Sequence, residues 1–196
     1  TGKLMEVLQD YGEIYGIDAS PQAINFCRQR HLKHIYRDKF PRLRTSLRRK
    51  TFDVIICLDV LEHIDTDAQA IRTIKTLLRP GGRLIVTVPA YPWLFSYWDQ
   101  VSGHYRRYSL NRLLHILKQS GLKPIKTSYL YSFLMPIAIP FRYFKHHLFK
   151  NKTPPSDFIT LHPLANKLLF YLATLEQLLL KYVSIPFGLS LICIAE

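Results

Sequence analysis

At 196 residues, 48% hydrophobic and 21% charged, the chain can close one hydrophobic core, and its composition excludes disorder. Its cysteines, Cys27, Cys57 and Cys193, lie far apart without a C-x-x-C pair, so neither a zinc site nor a disulfide framework is indicated, and a reducing, cytoplasmic compartment is the simplest reading. The longest apolar runs, Tyr129 to Phe141 and Leu168 to Leu180, fall short of the ~20 residues of a membrane span and are broken by Pro136, Pro140 and Glu176; a surface-lying helix stays open.

In chain order, Thr1-Gly2 runs straight into an amphipathic segment with no start methionine or signal peptide before it, and the chain is expected to be a fragment. Leu4 to Leu8 have helical spacing and Gly12 ends that helix. Glu13 to Asp18 reads as a short strand ending in a carboxylate. Ser20 and Pro21 predict a helix start, with Ala23, Ile24 and Cys27 as its buried stripe. His34 to Tyr36 predicts another short strand. Between Arg28 and Lys50, ten basic residues stand against one acid, Asp38, in a chain of net charge +13; such a patch faces phosphates, anionic headgroups or water.

Phe52 to Leu58 is a continuous apolar run, as expected of a strand covered on both faces. Asp67 to Leu78 shows one apolar helical face stopped at Pro80-Gly81-Gly82, and Arg83 to Pro89 predicts a second buried strand. An aromatic loop (Tyr91, Trp93, Phe95, Tyr97, Trp98) leads to a helix from Ser109 to Gln119. A strand over Lys123 to Tyr131, two apolar helical segments and a strand over Phe187 to Ala195 complete the chain. Strands alternating with helices predict an α/β fold with a parallel sheet wound on both faces.

In such sheets ligands sit at the carboxyl ends of the strands. Asp18 closes one strand, Asp59-Val60-Leu61-Glu62-His63 follows another, and Pro80-Gly81-Gly82 precedes a third. This ordered set resembles the class I S-adenosylmethionine-dependent methyltransferases, particularly small-molecule and quinone methyltransferases. Val88 to Tyr91, Asp99 and Gly103-His104-Tyr105-Arg106-Arg107-Tyr108-Ser109 are similar to a subgroup associated with lipid or surface-glycan pathways, as is the closing stretch Pro186 to Ile194.

The resemblance implies a Rossmann-like doubly wound, mostly parallel sheet with an antiparallel last strand and a helical insertion before it. Its first strand is expected to be missing, because Thr1-Gly2 matches the last two positions of the family's G-x-G-x-G loop. One methyltransferase domain spans 1–196, with a cofactor-binding half (1–90) and a substrate loop, helical lid and final strands (91–196). S-adenosylmethionine is implied as cofactor, held by Gly2, Asp18, Ala19, Asp38, Asp59 and Val60. Asp18 would accept from both ribose hydroxyls, or else serve as a strand-end turn residue; Asp38 would meet the adenine amino group.

Attack on the sulfonium methyl mainly needs alignment, with a base only if the nucleophile arrives protonated. The candidate bases are His104, Asp99 and His63. His104, with an ordinary pKa of ~6.5, is either the base or a hydrogen-bonding group that holds its loop closed. Arg106 and Arg107, with Tyr108, either clamp an anionic substrate or fix the loop to the sheet. If their turn is helical, Asp59, Glu62 and His63 gather with His104 as ligands for magnesium or manganese, resembling the E-x-x-E-H site of some O-methyltransferases; otherwise the Glu-His pair caps a helix or lines the donor pocket. Phe133 to Phe141, followed by Arg142, Lys145, His146 and His147, suits either a helix in a lipid interface or a lid on the core.

These readings converge on methyl transfer to a small hydrophobic or lipid-linked acceptor, with peripheral contact at the inner face of the membrane. RNA methylation through the basic run is the alternative, and a non-catalytic scaffold is a third reading.

Overall fold

The computed structural model describes residues 2–44, 46–140 and 162–196. The basic part of the insertion expected at the membrane, Arg142 to His147, lies outside the described residues. Two units, Thr1–Phe52 and Asp53–Glu196, each have their own packing, and their division falls at the start of a strand.

In the first unit, α1 (Lys3–Leu8) runs into a 3-10 turn ended by Gly12. Strand β1 (Gly16–Asp18), helix α2 (Pro21–Gln29) and strand β2 (Ile35–Arg37) form a βαβ unit, with Asp18 beside Arg37 in a parallel two-stranded sheet. Ser20 caps α2 as expected, its hydroxyl accepting from the Ala23 N–H at 3.3 Å, and Ile24 and Cys27 face the core. Gly2 has φ 74°, and a Cβ there would lie 2.6 Å from a Leu32 methyl, so both conformation and space demand glycine. The ten basic residues from Arg28 to Lys50 are all exposed, while Leu43 and Leu47 turn inward.

The second unit is built on a four-stranded sheet in the order β3-β4-β6-β5: β3 (Phe52–Leu58), β4 (Leu78–Pro89), β5 (Pro124–Leu130) and β6 (Ser190–Ala195). Helix α3 (Asp67–Leu77) supplies the crossover from β3 to β4 that parallel neighbours need. A short helix α4 (Tyr97–Val101) and helix α5 (Leu110–Gln119) lead to β5, and α6 (Pro163–Tyr182) precedes β6. The last strand runs antiparallel to both neighbours, as the sequence implied. Ile71 and Ile74 of α3, Leu113 and Leu117 of α5, and Leu84, Val86 and Val88 of β4 form the core. Each such side chain contributes ~1.5–3 kcal/mol by leaving water.

The sheet departs from expectation at β3. Its sequence predicts cover on both faces, yet Val54, Ile56 and Leu58, which share a face by strand periodicity, are 37–48% exposed. Its one sheet neighbour among the described residues is β4, and that of β1 is β2. A continuous apolar run records what a strand can bury, not what covers it. Strand β4 also begins at Leu78, taking in the Pro80-Gly81-Gly82 that the sequence assigns to a stop; α3 ends earlier, with the Leu78 N–H closing on Ile74 and Lys75 carbonyls.

Candidate functional site

In the first unit the carboxyl end of β1 presents Asp18 and Ala19, both exposed. One Asp18 oxygen accepts from the Ser20 N–H at 2.8 Å, an Asx-type bond that forms the turn into α2 while the carboxylate stays open to solvent. The ligand and turn readings of Asp18 are therefore compatible. Asp38 is different. It is buried, its two oxygens accepting from the backbone N–H groups of Lys39 (2.9 Å) and Arg44 (2.8 Å), and it closes the loop after β2. That carboxylate is committed to its own backbone, against the adenine role implied for it.

In the second unit Asp59 follows the last residue of β3 in a left-handed conformation, φ 50°, tolerable for aspartate. Its N–H donates to Thr87 on β4, and the Thr87 hydroxyl donates back to its carboxylate at 3.1 Å. Val60 is exposed beside it. A 3-10 turn, Leu61–His63, then buries Glu62, which is 1% exposed, and leaves His63 outside.

The loop that meets this turn is locked by one carboxylate. Asp99 sits in a capping box at the start of α4, accepting from the Ser96 N–H (2.8 Å) and hydroxyl (3.0 Å). Its other oxygen accepts from Arg107 Nε at 2.8 Å and from His104 Nδ1 at 3.2 Å. Because a carboxylate only accepts, His104 carries a proton on Nδ1, and Nε2 is the ring nitrogen left outside this bond. Asp99 is thus an orienting group, engaged on both oxygens, and not the base that its sequence position also allows.

Arg106, Arg107 and Tyr108, expected to touch substrate, bind their own chain. Arg107 is buried against Asp99, with a second bond to the Ala90 carbonyl. Arg106 donates to the Ile64 and Asp65 carbonyls and pairs with Asp67 at 3.1 Å. Tyr108 is fully buried, its hydroxyl donating to Asp67 at 3.0 Å, and it bridges to Ala90 just past β4. Of the two readings of these arginines, the bonds describe loop fixation. Asp67 and Thr87 were not singled out for the site by sequence. Asp67 heads a helix, where an acid is ordinary, so nothing in the pattern marks it as a partner of three side chains. Burial opposes the Asp67 charge, but Arg112, Arg106 and Tyr108 outweigh it and hold its pKa below the usual value.

Glu62, His63 and His104 offer donor atoms within 4.8 Å of one another, and the imidazoles meet edge-to-face at 4.6 Å. Burial pushes the Glu62 carboxyl up to about 7, reinforced by Asp59 and Asp99 and opposed by Arg107 and a backbone N–H. One Glu62 oxygen is buried with no hydrogen-bond partner among the described residues. Asp59, counted with this set from spacing, is not in it: its left-handed backbone breaks the helical register and Thr87 takes its carboxylate. With one carboxylate and two imidazoles left, the set is a poor fit to magnesium, which takes oxygen ligands.

Each unit carries one piece of an α/β framework of the Rossmann-like kind: Asp18 ends β1 in the first, and the turn after β3 buries Leu61 and Glu62 in the second. Residues 1–84 match the family model described as a methyltransferase domain. The ubiquinone biosynthesis O-methyltransferase of Stutzerimonas stutzeri is 31% identical over 88 residues, 42% of this chain and 38% of that protein. The chain thus matches well under half the length of this curated relative. An S-adenosylmethionine-dependent methyltransferase from Clostridium acetobutylicum superposes with a TM-score of 0.59 at 16% identity, covering 100% of this chain and 79% of that one. The N-methyltransferase NodS from Bradyrhizobium japonicum, solved with S-adenosyl-L-homocysteine, gives 0.52 at 21% identity over 66% of this chain and 65% of its own.

Proposed function

We propose that the protein transfers a methyl group from S-adenosylmethionine to an oxygen of a small hydrophobic or lipid-linked acceptor, met in the cytoplasm at the inner face of the membrane. The observation that carries this reading is His104, its ring fixed by buried Asp99 on a loop bonded to Glu62 through the Tyr105 N–H at 2.7 Å. A hydroxyl acceptor must lose its proton as it attacks, and His104 Nε2 is the group to take it. His63 is the second basic group at the same place. For the donor, Asp18 receives the ribose hydroxyls, with Gly2 and Ala19 as the other donor residues of the first unit; Asp59 and Val60 are the donor residues of the second. The curated relative's name supports an O-methyl acceptor of the quinone-precursor type.

A groove of about 500 Å³ beside α6, walled mainly by Tyr131, Phe133, Leu134, Leu169 and Phe170 with Asn166 and Lys167 also on its lining, suits an acceptor with a hydrocarbon tail. Calorimetric titration with S-adenosylmethionine, followed by turnover of a tailed catechol with wild type and His104→Asn, tests the proposal. Donor binding together with a large loss of kcat in the variant is the expected result. No donor binding returns the chain to the scaffold reading, and salt-sensitive RNA binding through the exposed basic run favours the RNA alternative.

A further inference from the structure

Helix α6 is twenty residues long and buries a single one of them, Glu176. That carboxylate faces inward, accepting from the backbone N–H groups of Tyr131 and Ser132 and from the Ser132 hydroxyl. It is the helix's sole acid, so the outer surface of α6 carries no negative side chain. Leu164, Leu168, Tyr171, Leu175, Leu178 and Tyr182 recur at alternating steps of four and three residues, which at 3.6 residues per turn makes one continuous stripe. All six are 49–85% exposed. Lys167 and Lys181, both exposed, lie along one flank of that stripe.

We propose that this stripe is the face by which the protein lies on an anionic phospholipid bilayer. An apolar strip bordered by lysines gains from burial among acyl chains and from attraction to anionic headgroups, and the two tyrosines suit the boundary between them. The chain's net charge of +13 acts in the same direction. No helix among the described residues is long and apolar enough to cross a membrane, so the contact is lateral.

A second copy of the chain fits less well. The four-three spacing is that of a coiled-coil seam, but Lys167 and Lys181 occupy the same flanking position, two heptads apart. Antiparallel pairing sets lysine against lysine, and parallel pairing sets them against Ala165, Leu172 and Leu179. Neither pairing supplies an acid. The inference rests on the membrane-facing part of the proposed function and not on its chemistry.

Co-sedimentation of the full chain with vesicles of phosphatidylcholine alone, or mixed with phosphatidylglycerol, is the test, with Leu168→Gln/Leu175→Gln and Lys167→Glu/Lys181→Glu as variants. Circular dichroism checks that each variant folds; the substituted side chains are exposed. Wild type is expected to pellet with the mixed vesicles, less so in high salt, and both variants to lose partitioning by roughly tenfold or more. Wild type staying in the supernatant with both vesicle types overturns the proposal, as does a leucine variant that pellets like wild type. A wild-type dimer in sedimentation velocity that the leucine variant abolishes gives the stripe to a second copy, and overturns it too. Donor titration of the same samples separates the two readings: donor binding without vesicle binding sinks this inference alone, and the reverse sinks the proposed reaction alone.

Discussion

Replacing Glu62 by glutamine probes the buried carboxyl without changing its shape. The group's pKa stands at about 7 against an ordinary 4.5, chiefly because burial disfavours the charge. A raised folded-state pKa means that the native chain holds this proton more tightly than the unfolded chain does. Its contribution to stability is therefore complete below about 4.5 and is lost as the pH rises through about 7. At 1.36 kcal/mol per pH unit, the displacement corresponds to a swing of about 3 kcal/mol; allowing for residual hydration of the turn, about 2 is expected. Glutamine cannot ionise, so Glu62→Gln should carry a pH-independent offset at pH 5 and gain about 2 kcal/mol on wild type by pH 8. Urea denaturation at both pH values measures this. A stability difference between the two proteins that is the same at pH 5 and pH 8 refutes the reasoning, because it would mean that Glu62 titrates as an ordinary surface acid.

Arg107→Met removes the buried cation from Asp99 and should cost ~3–5 kcal/mol in thermal or chemical unfolding, with protease sensitivity appearing first in the 96–108 loop. Asp18→Asn should leave the melting temperature within a degree or two while weakening donor binding about tenfold or more, read by calorimetry. Leu113→Ala empties a fully buried position of α5 and should cost ~2–5 kcal/mol. Glu176→Gln keeps the bulk but removes the charged acceptor for Tyr131 and Ser132, and should cost ~1–3 kcal/mol with faster hydrogen exchange at those two amides.

The sequence exposed most of the framework because its signals are local. Ser20-Pro21 can start a helix and little else, and Ile71, Ile74 and Leu77 can share a face only in one. The loop chemistry was harder to see for the opposite reason. Asp99 and Arg107 meet across eight positions of irregular backbone, and nothing in the letters says whether an arginine there reaches outward to an anion or inward to an acid. Asp59 failed as a ligand through one dihedral angle, which spacing arguments assume to be helical. The apolar run Leu168 to Leu180 was legible as a surface-lying helix, but nothing in its composition says that its one acid, Glu176, is what lies inside.

The open side of β3 bears on how the protein behaves at the bench. A strand with one sheet neighbour among the described residues, β4, and with Val54, Ile56 and Leu58 open to solvent is a template onto which another extended chain can add. Concentrated samples should tend to associate through this rim, and a lysine in place of Ile56 is the simplest way to keep them dispersed.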